Sequence, residues 1–343
     1  MKQKLGLKFS ANHLVLGVAS LMIAGRAFGA PVFNNGVLTY TVAAGDTETE
    51  ANTFASYGTV TSVVKEGDGT LKLTVSNSSY DGTVDIKAGI LDCAHGHALG
   101  STSGTVYVRD GAQLKPTFSA ASQGEVNISP LVHIIGEGPD GNGAIRAMNG
   151  GMGDNTFSKG VTLDGPATVG GSSRIGFYFN MNGHTLTDKV SAEHLIRGIN
   201  SVNPGHIVYS GGYRLVVSGA FNGSSANTLT IAKAGGLVCF WNTTVSPAWT
   251  LLVNENASIA AGAGNDKSRN RWSGPVVIAA GKTLTLTHYS SPAAGVAVGA
   301  SGPISGDGKV VVAANNYSGL KAYLFERTGR PDALSVGVTF AQA

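Results

Sequence analysis

Charge is what this sequence most lacks. Asp, Glu, Lys and Arg make up 13% of its 343 residues, against about 25% in ordinary globular proteins. Four of the positive side chains (Lys2, Lys4, Lys8 and Arg26) fall in the first thirty residues, where no acid occurs. Without that segment 20 basic residues face 21 acidic ones, so the formal +3 of the whole chain becomes a net charge near −1. No basic stripe remains to release counterions from a phosphate backbone, which excludes nucleic acid as a partner. Cysteine is nearly absent as well: Cys93 and Cys239 cannot build the disulfide framework of a small secreted scaffold. No apolar run reaches about eighteen residues, so no transmembrane segment is expected in the mature chain. Helical periodicity is also missing, apart from a short helix-like stretch, Ser191 to Ile199, that ends against Pro204-Gly205. No glycine-rich loop leads into a helix, so there is no phosphate cradle and no cofactor is expected.

What is present begins with a leader. The positive start, the apolar run Leu14 to Ile23 and the small residues of Ala27-Phe28-Gly29 have the order of a secretory signal peptide, with cleavage after Gly29. The expected organisation is therefore residues 1–29 removed and 30–343 as one domain, with less regular loops near 137–160 and 191–212. Glycine is abundant, at 49 residues, and Val, Ile and Leu recur at short spacing, which excludes a disordered composition.

Strict alternation bounded by turn residues then sets the secondary structure. Thr70-Leu71-Lys72-Leu73-Thr74-Val75 puts Leu71, Leu73 and Val75 on one face. Val84 and Ile86 point inward from Thr83–Ile86, Thr105–Val108 repeats the pattern, and Gly281–Thr287 has it again near the other end. Outward threonine is β-branched and stays solvated. Strand-like units every 8–12 residues fit a sandwich or a solenoid, and internal repetition favours the solenoid. Glu66-Gly67-Asp68-Gly69-Thr70-Leu71-Lys72-Leu73 returns as Ser305-Gly306-Asp307-Gly308-Lys309-Val310-Val311-Val312, with weaker echoes at 182–187 and 227–231. At about 22–25 residues per coil and a strand spacing of about 4.8 Å, the two cysteines stand roughly 30 Å apart. That is beyond the roughly 7 Å reach of a disulfide, which predicts two free, mostly buried thiols.

These residues carry a resemblance. Lys65 through Leu114 is similar to the passenger-associated transport repeat of autotransporters and related bacterial surface proteins. It runs through Gly67-Asp68-Gly69-Thr70-Leu71-Lys72-Leu73, Tyr80-Asp81-Gly82-Thr83-Val84-Asp85-Ile86 and Ala88-Gly89-Ile90-Leu91. It ends with Ala98-Leu99-Gly100, Gly104–Val108 and Gly111–Leu114. Ile304 to Gly319 resembles a partial second copy. The resemblance implies an all-β fold, a right-handed single-stranded parallel β-helix, in an exported protein. Autotransporters end in a membrane β-barrel of amphipathic strands, and 24 residues follow Gly319 here. The expectation is a passenger exported by another route, with no export machinery assigned, or a fragment. It would be extracellular or outer-membrane associated at the cell surface, with the periplasm as the alternative.

Candidate sites are few. Cys93, His95 and His97 alternate, and on one strand face they would be three ligands for zinc or copper; as a turn around Gly96 they would not. Gly67-Asp68-Gly69 and Gly306-Asp307-Gly308 suggest calcium, but copies 239 residues apart cannot complete one another's coordination, so they read as turns. The acidic run 136–143 reads as a protruding loop. Phe240, Trp241 and Trp249 fit either a sugar-stacking platform or interior packing. Asn77-Ser78-Ser79 carries no glycosylation message in a bacterial chain. Asp164, Arg174 and Asp188 come nearest to the acid–base set of a polysaccharide lyase or glycoside hydrolase, but no paired acids mark a catalytic coil. The expectation is therefore a structural or adhesin-like protein without catalytic activity, whose partners are host glycans, mucus or matrix. The alternatives are a carbohydrate-active β-helix enzyme and a Greek-key sandwich of antiparallel hairpins.

Overall fold

The computed structural model describes residues 29–118, 128–148, 157–200, 203–240, 247–261, 269–288, 297–313, 321–324 and 337–341. Compactness separates Met1–Ala30 from Pro31–Ala343. The expected signal peptide lies outside the described residues except for Gly29.

Pro31–Ala343 is a parallel β-solenoid. Short strands alternate between two ladders, so a strand pairs with the strand two places later, one coil on, or three places later where a strand of a third sheet intervenes. In the first ladder Leu38, Val63, Val84, Val106, Val132 and Val161 sit in register, one per coil. In the second, Leu71, Leu91, Leu114, Ile145 and Val169 do the same. All of these are 0–1% exposed. Each such side chain contributes about 1.5–3 kcal/mol of burial, while backbone groups pair from coil to coil. The parallel register excludes the antiparallel sandwich. A third, smaller parallel sheet joins Arg269–Trp272, Ala297–Ala300 and Lys321–Leu324.

One strand belongs to both ladders. Val161–Gly171 pairs through Val161 and Leu163 with the first and through Val169 to Gly171 with the second. Gly165-Pro166 lies where it passes between them. At the other end, Val32–Asn34 folds back antiparallel on Val37–Thr41. Asn35 and Gly36 make the turn at φ 47° and 79°, the signature of a tight two-residue hairpin. The hairpin covers the outer edge of the first ladder, which would otherwise be a template for further pairing.

Three sequence expectations change. Ser191 to Ile199 is not helical: Glu193–Asn200 is a strand of the first ladder, followed by His206–Tyr209 in the second. The alternation is hidden because this strand is buried on both faces. His194 and Ile196 face the core, while Leu195 packs on Val216 and Cys239 in a separate outer cluster. Such strands read as continuous apolar runs. The 137–160 region contains the strand Ile145–Ala147, and its 149–156 portion lies outside the described residues. Val75 falls beyond the strand Thr70–Leu73 and is only half-buried.

Candidate functional site

The corner between the two ladders explains the Gly-Asp-Gly motif. Gly67 sits at φ +72°, and a Cβ there would come 2.2 Å from the Val42 carbonyl oxygen of the preceding coil. A Cβ on Gly69 would stand 2.1 Å from Ala43 O. A Cβ on Gly306 would stand 2.2 Å from Ile278 O, and one on Gly308 2.2 Å from the Ile278 side-chain Cγ2 and 2.8 Å from Ala279 O. Backbone of one coil rests on backbone of the next, leaving Asp68 and Asp307 exposed at the tip. The motif is a stacking corner.

Beside this corner lies an inward-facing cation. Lys65 shares a core column with Tyr40 and Ile86 and is fully buried. Its Nζ donates to Gly67 O at 2.6 Å, Ala88 O at 3.0 Å and Glu66 O at 3.1 Å. Burial lowers its pKa to about 8, against the pull of Asp68 and Glu48. The ammonium ties the corners of two successive coils together.

The opposite corner, where the second ladder returns to the first, holds a groove of about 530 Å³. Its walls are the connections of two successive coils, residues 53–61 and 76–82. The frame is rigid. Phe54 opens a 3-10 turn, Phe54–Tyr57, and its ring meets Tyr80 edge-on at 5.1 Å. The buried Asn77 accepts from Phe54 N at 2.8 Å and donates to Ala98 O at 2.9 Å, so one amide links three coils. Tyr80 donates to Thr83 O at 2.7 Å. Behind the turn, Tyr40 and Tyr57 donate to Glu50 at 2.8 and 2.6 Å. Burial works to raise the Glu50 carboxyl, but the hydrogen bonds from Tyr57, the Asn52 amide and Tyr40 hold it below the usual carboxylate range. Hydroxyl and amide groups dominate the mouth, and Asp81 is its one charged side chain.

The outer face of the first ladder carries a second polar feature. Arg109 pairs with Asp85 at 2.7 Å and lies 4.6 Å over the Tyr107 ring. That ring stacks on His133 at 4.9 Å, and His133 Nδ1 meets Asp164 at 2.9 Å. The partners climb from coil to coil, and the two faces of Tyr107 are taken up by its neighbours.

The residues singled out in the sequence do not converge. Cys93 is buried in the core between Leu73 and Pro116, whereas His95 and His97 lie in the following turn, where His97 N donates to His95 Nδ1 at 3.1 Å. The strand Gly89–Cys93 ends at Cys93 itself, so the three do not share a face. Among the described residues no group of three His, Cys, Asp or Glu is placed to hold a metal ion. Both cysteines are free and buried; burial pushes the Cys239 thiol up to about 12.

Phe240 and Trp249 are interior, each 0% exposed. Trp249 packs edge-on against Phe221 at 5.1 Å and donates to Asn222 O at 3.1 Å. They form no surface platform, and Trp241 lies outside the described residues. Asp164, Arg174 and Asp188 are likewise dispersed. Asp164 joins the outer ladder. Arg174 pairs with Glu193 at 2.6 Å, which also binds Arg214. Asp188 is turned into the core. The 136–143 segment is tied down, with Asp140 accepting from Asn142 N at 3.0 Å and from Gln113 at 3.3 Å. The groove and the outer ladder carried no sequence signal, because their residues come from separate coils and are ordinary turn and strand types.

The architecture is a parallel β-solenoid. Residues 63–92 match the family model of the passenger-associated-transport-repeat, covering the Gly-Asp-Gly corner, Lys65 and one wall of the groove. No curated protein and no solved structure matches the chain. Repeat and fold together fit an autotransporter passenger-like surface protein. Among the described residues no helix is long and apolar enough to cross a membrane.

Proposed function

We propose that this chain is an adhesin-like β-helical rod, secreted or displayed at the cell surface, that works by binding and not by catalysis. The carrying observation is the passenger-associated repeat at 63–92 set in a parallel solenoid. A stack of coils buries one continuous core and repeats its outer surface. Such a surface suits many weak polar contacts, and the partners it fits are host glycans, mucus or matrix. Residues 1–29 act as the Sec signal in this reading.

The test is a tagged full-length chain in its native host. Expected are cleavage near Gly29, loss of the tag from intact cells under external protease, and binding of the purified mature protein to mucin or matrix over albumin. Retention in the cytoplasm overturns export. Release of reducing ends or unsaturated sugars from polysaccharides overturns the non-catalytic reading.

A further inference from the structure

The groove between the first two coils combines unused polar groups with a fixed backbone frame. Thr59, Ser78 and Ser79 are exposed, line it, and have no protein hydrogen bond among the described residues. Asp81 stands with them, also exposed and unbonded. Their backbones, by contrast, are fixed by Asn77, Tyr80 and the Phe54 turn, whose polar groups are already satisfied. Unused polar groups on a pre-set frame lower the ordering cost of binding. The volume, about 530 Å³, lies within the usual range for small-ligand sites, about 300–1,000 Å³.

A second observation concerns the rim. The Phe33 ring rests on Gly58, where a Cβ would come 3.1 Å from the ring carbon Cε1, and Gly58 lines the groove. Phe33 is 39% exposed, one of the few large apolar side chains left open to solvent. An open aromatic ring beside hydroxyls that both donate and accept matches a ligand with apolar C–H faces and a hydroxyl edge. The lining contains no Lys, Arg or His. An anionic ligand would meet the Asp81 carboxylate with no compensating cation.

We infer that this groove is a binding site for a neutral oligosaccharide, with Phe33 stacking on a sugar ring and Thr59, Ser78, Ser79 and Asp81 bonding its hydroxyls. The inference rests on the binding role proposed above and gives it a place and a ligand class. It also discriminates: sulfated, sialylated and uronate-rich chains are refused.

The experiment applies the purified mature chain to an array of neutral, sulfated and sialylated oligosaccharides, followed by calorimetric titration of the best neutral trisaccharide. Phe33→Ala, Asp81→Ala and the double variant Ser78→Ala/Ser79→Ala are compared with Asp85→Ala on the outer ladder, all with melting temperatures checked. Expected are neutral glycans only, affinity reduced at least about tenfold (about 1.4 kcal/mol) by Phe33→Ala and by Asp81→Ala, and no change in Asp85→Ala. Binding of anionic glycans alone, or neutral binding untouched in all groove variants, overturns the inference. Adherence to mucin or matrix with no glycan bound overturns it too, while leaving the adhesin reading standing; failure of adherence as well overturns both.

Discussion

Asp188 and His194 offer the sharpest test of how the core is built. Both lie in columns that are otherwise apolar. Asp188 sits between Val169 and Tyr209, and His194 between Ile175 and Leu215. They are 0% and 1% exposed, and His194 Nδ1 meets Asp188 Oδ2 at 2.8 Å. The other carboxylate oxygen accepts Val190 N at 2.9 Å. His194 Nε2 has no partner, and its ring stands edge-on to Phe177 at 5.3 Å and to Phe179 at 6.0 Å. Nδ1–H donates to Asp188, and an N–H on Nε2 would face phenyl rings with no acceptor.

The costs of removing each partner follow. His194→Leu extends an apolar column but leaves a buried carboxylate with one backbone donor, at about 3–5 kcal/mol. Asp188→Val orphans the imidazole Nδ1–H and the Val190 amide, each worth about 1–3 kcal/mol. The double variant joins Val169 to Tyr209 and Ile175 to Leu215 with apolar side chains and orphans only the Val190 amide, about 1–3 kcal/mol. Urea unfolding followed by far-UV circular dichroism reads all four proteins as midpoint shifts at constant slope. The double variant should be more stable than His194→Leu alone, with a coupling of about 3 kcal/mol or more. Losses that simply add would refute the pairing argument.

Two further outcomes are expected. Gly67→Ala should cost about 2–4 kcal/mol in the same assay, because its φ of +72° is joined by a Cβ contact of 2.2 Å, whereas Gly111→Ala, at φ +75° in open space, should cost about 1 kcal/mol from backbone strain alone. For Lys65, the folded pKa of about 8 lies below the ordinary 10.5, so between those values the unfolded chain holds a proton that the folded one has released. Relative to Lys65→Met, the wild type should therefore gain about 1–3 kcal/mol of stability as pH increases from 8 to 10.5; the buried Cys93 and Cys239 thiols, pushed up by burial, pull both proteins the other way and cancel in the comparison. Identical profiles in wild type and variant would refute the burial argument.

The coil repeat was legible in the sequence wherever one strand face is solvated. Val84 and Ile86 alternate with Thr83 and Asp85, and burial follows that alternation. It failed where both faces are covered, as at residues 193–195, because the inward side chain His194 is polar and the outward Leu195 is apolar, which inverts the usual contrast. Side chains at coil corners were also illegible. Asn77 and Lys65 look like surface residues in sequence, yet each is buried because it satisfies backbone groups that the corners leave unpaired. Cys93, His95 and His97 misled for the converse reason: period two places residues on one face only while the strand lasts, and this one ends at Cys93.

The same geometry separates what repetition means from what binding needs. Gly67-Asp68-Gly69 and Gly306-Asp307-Gly308 recur because any coil that lays its corner on the backbone below must omit Cβ there, and that demand is independent of any ligand. A repeated motif in a solenoid is thus evidence about stacking. A recognition site has to break the repetition, and the first two coils do so. The 3-10 turn Phe54–Tyr57 and the hairpin Val32–Thr41 bring Phe33 and a row of unused hydroxyls to one groove. On the proposed binding role, this irregular corner would supply specificity, while the repeated outer faces would supply many weak contacts and the ladders stiffness.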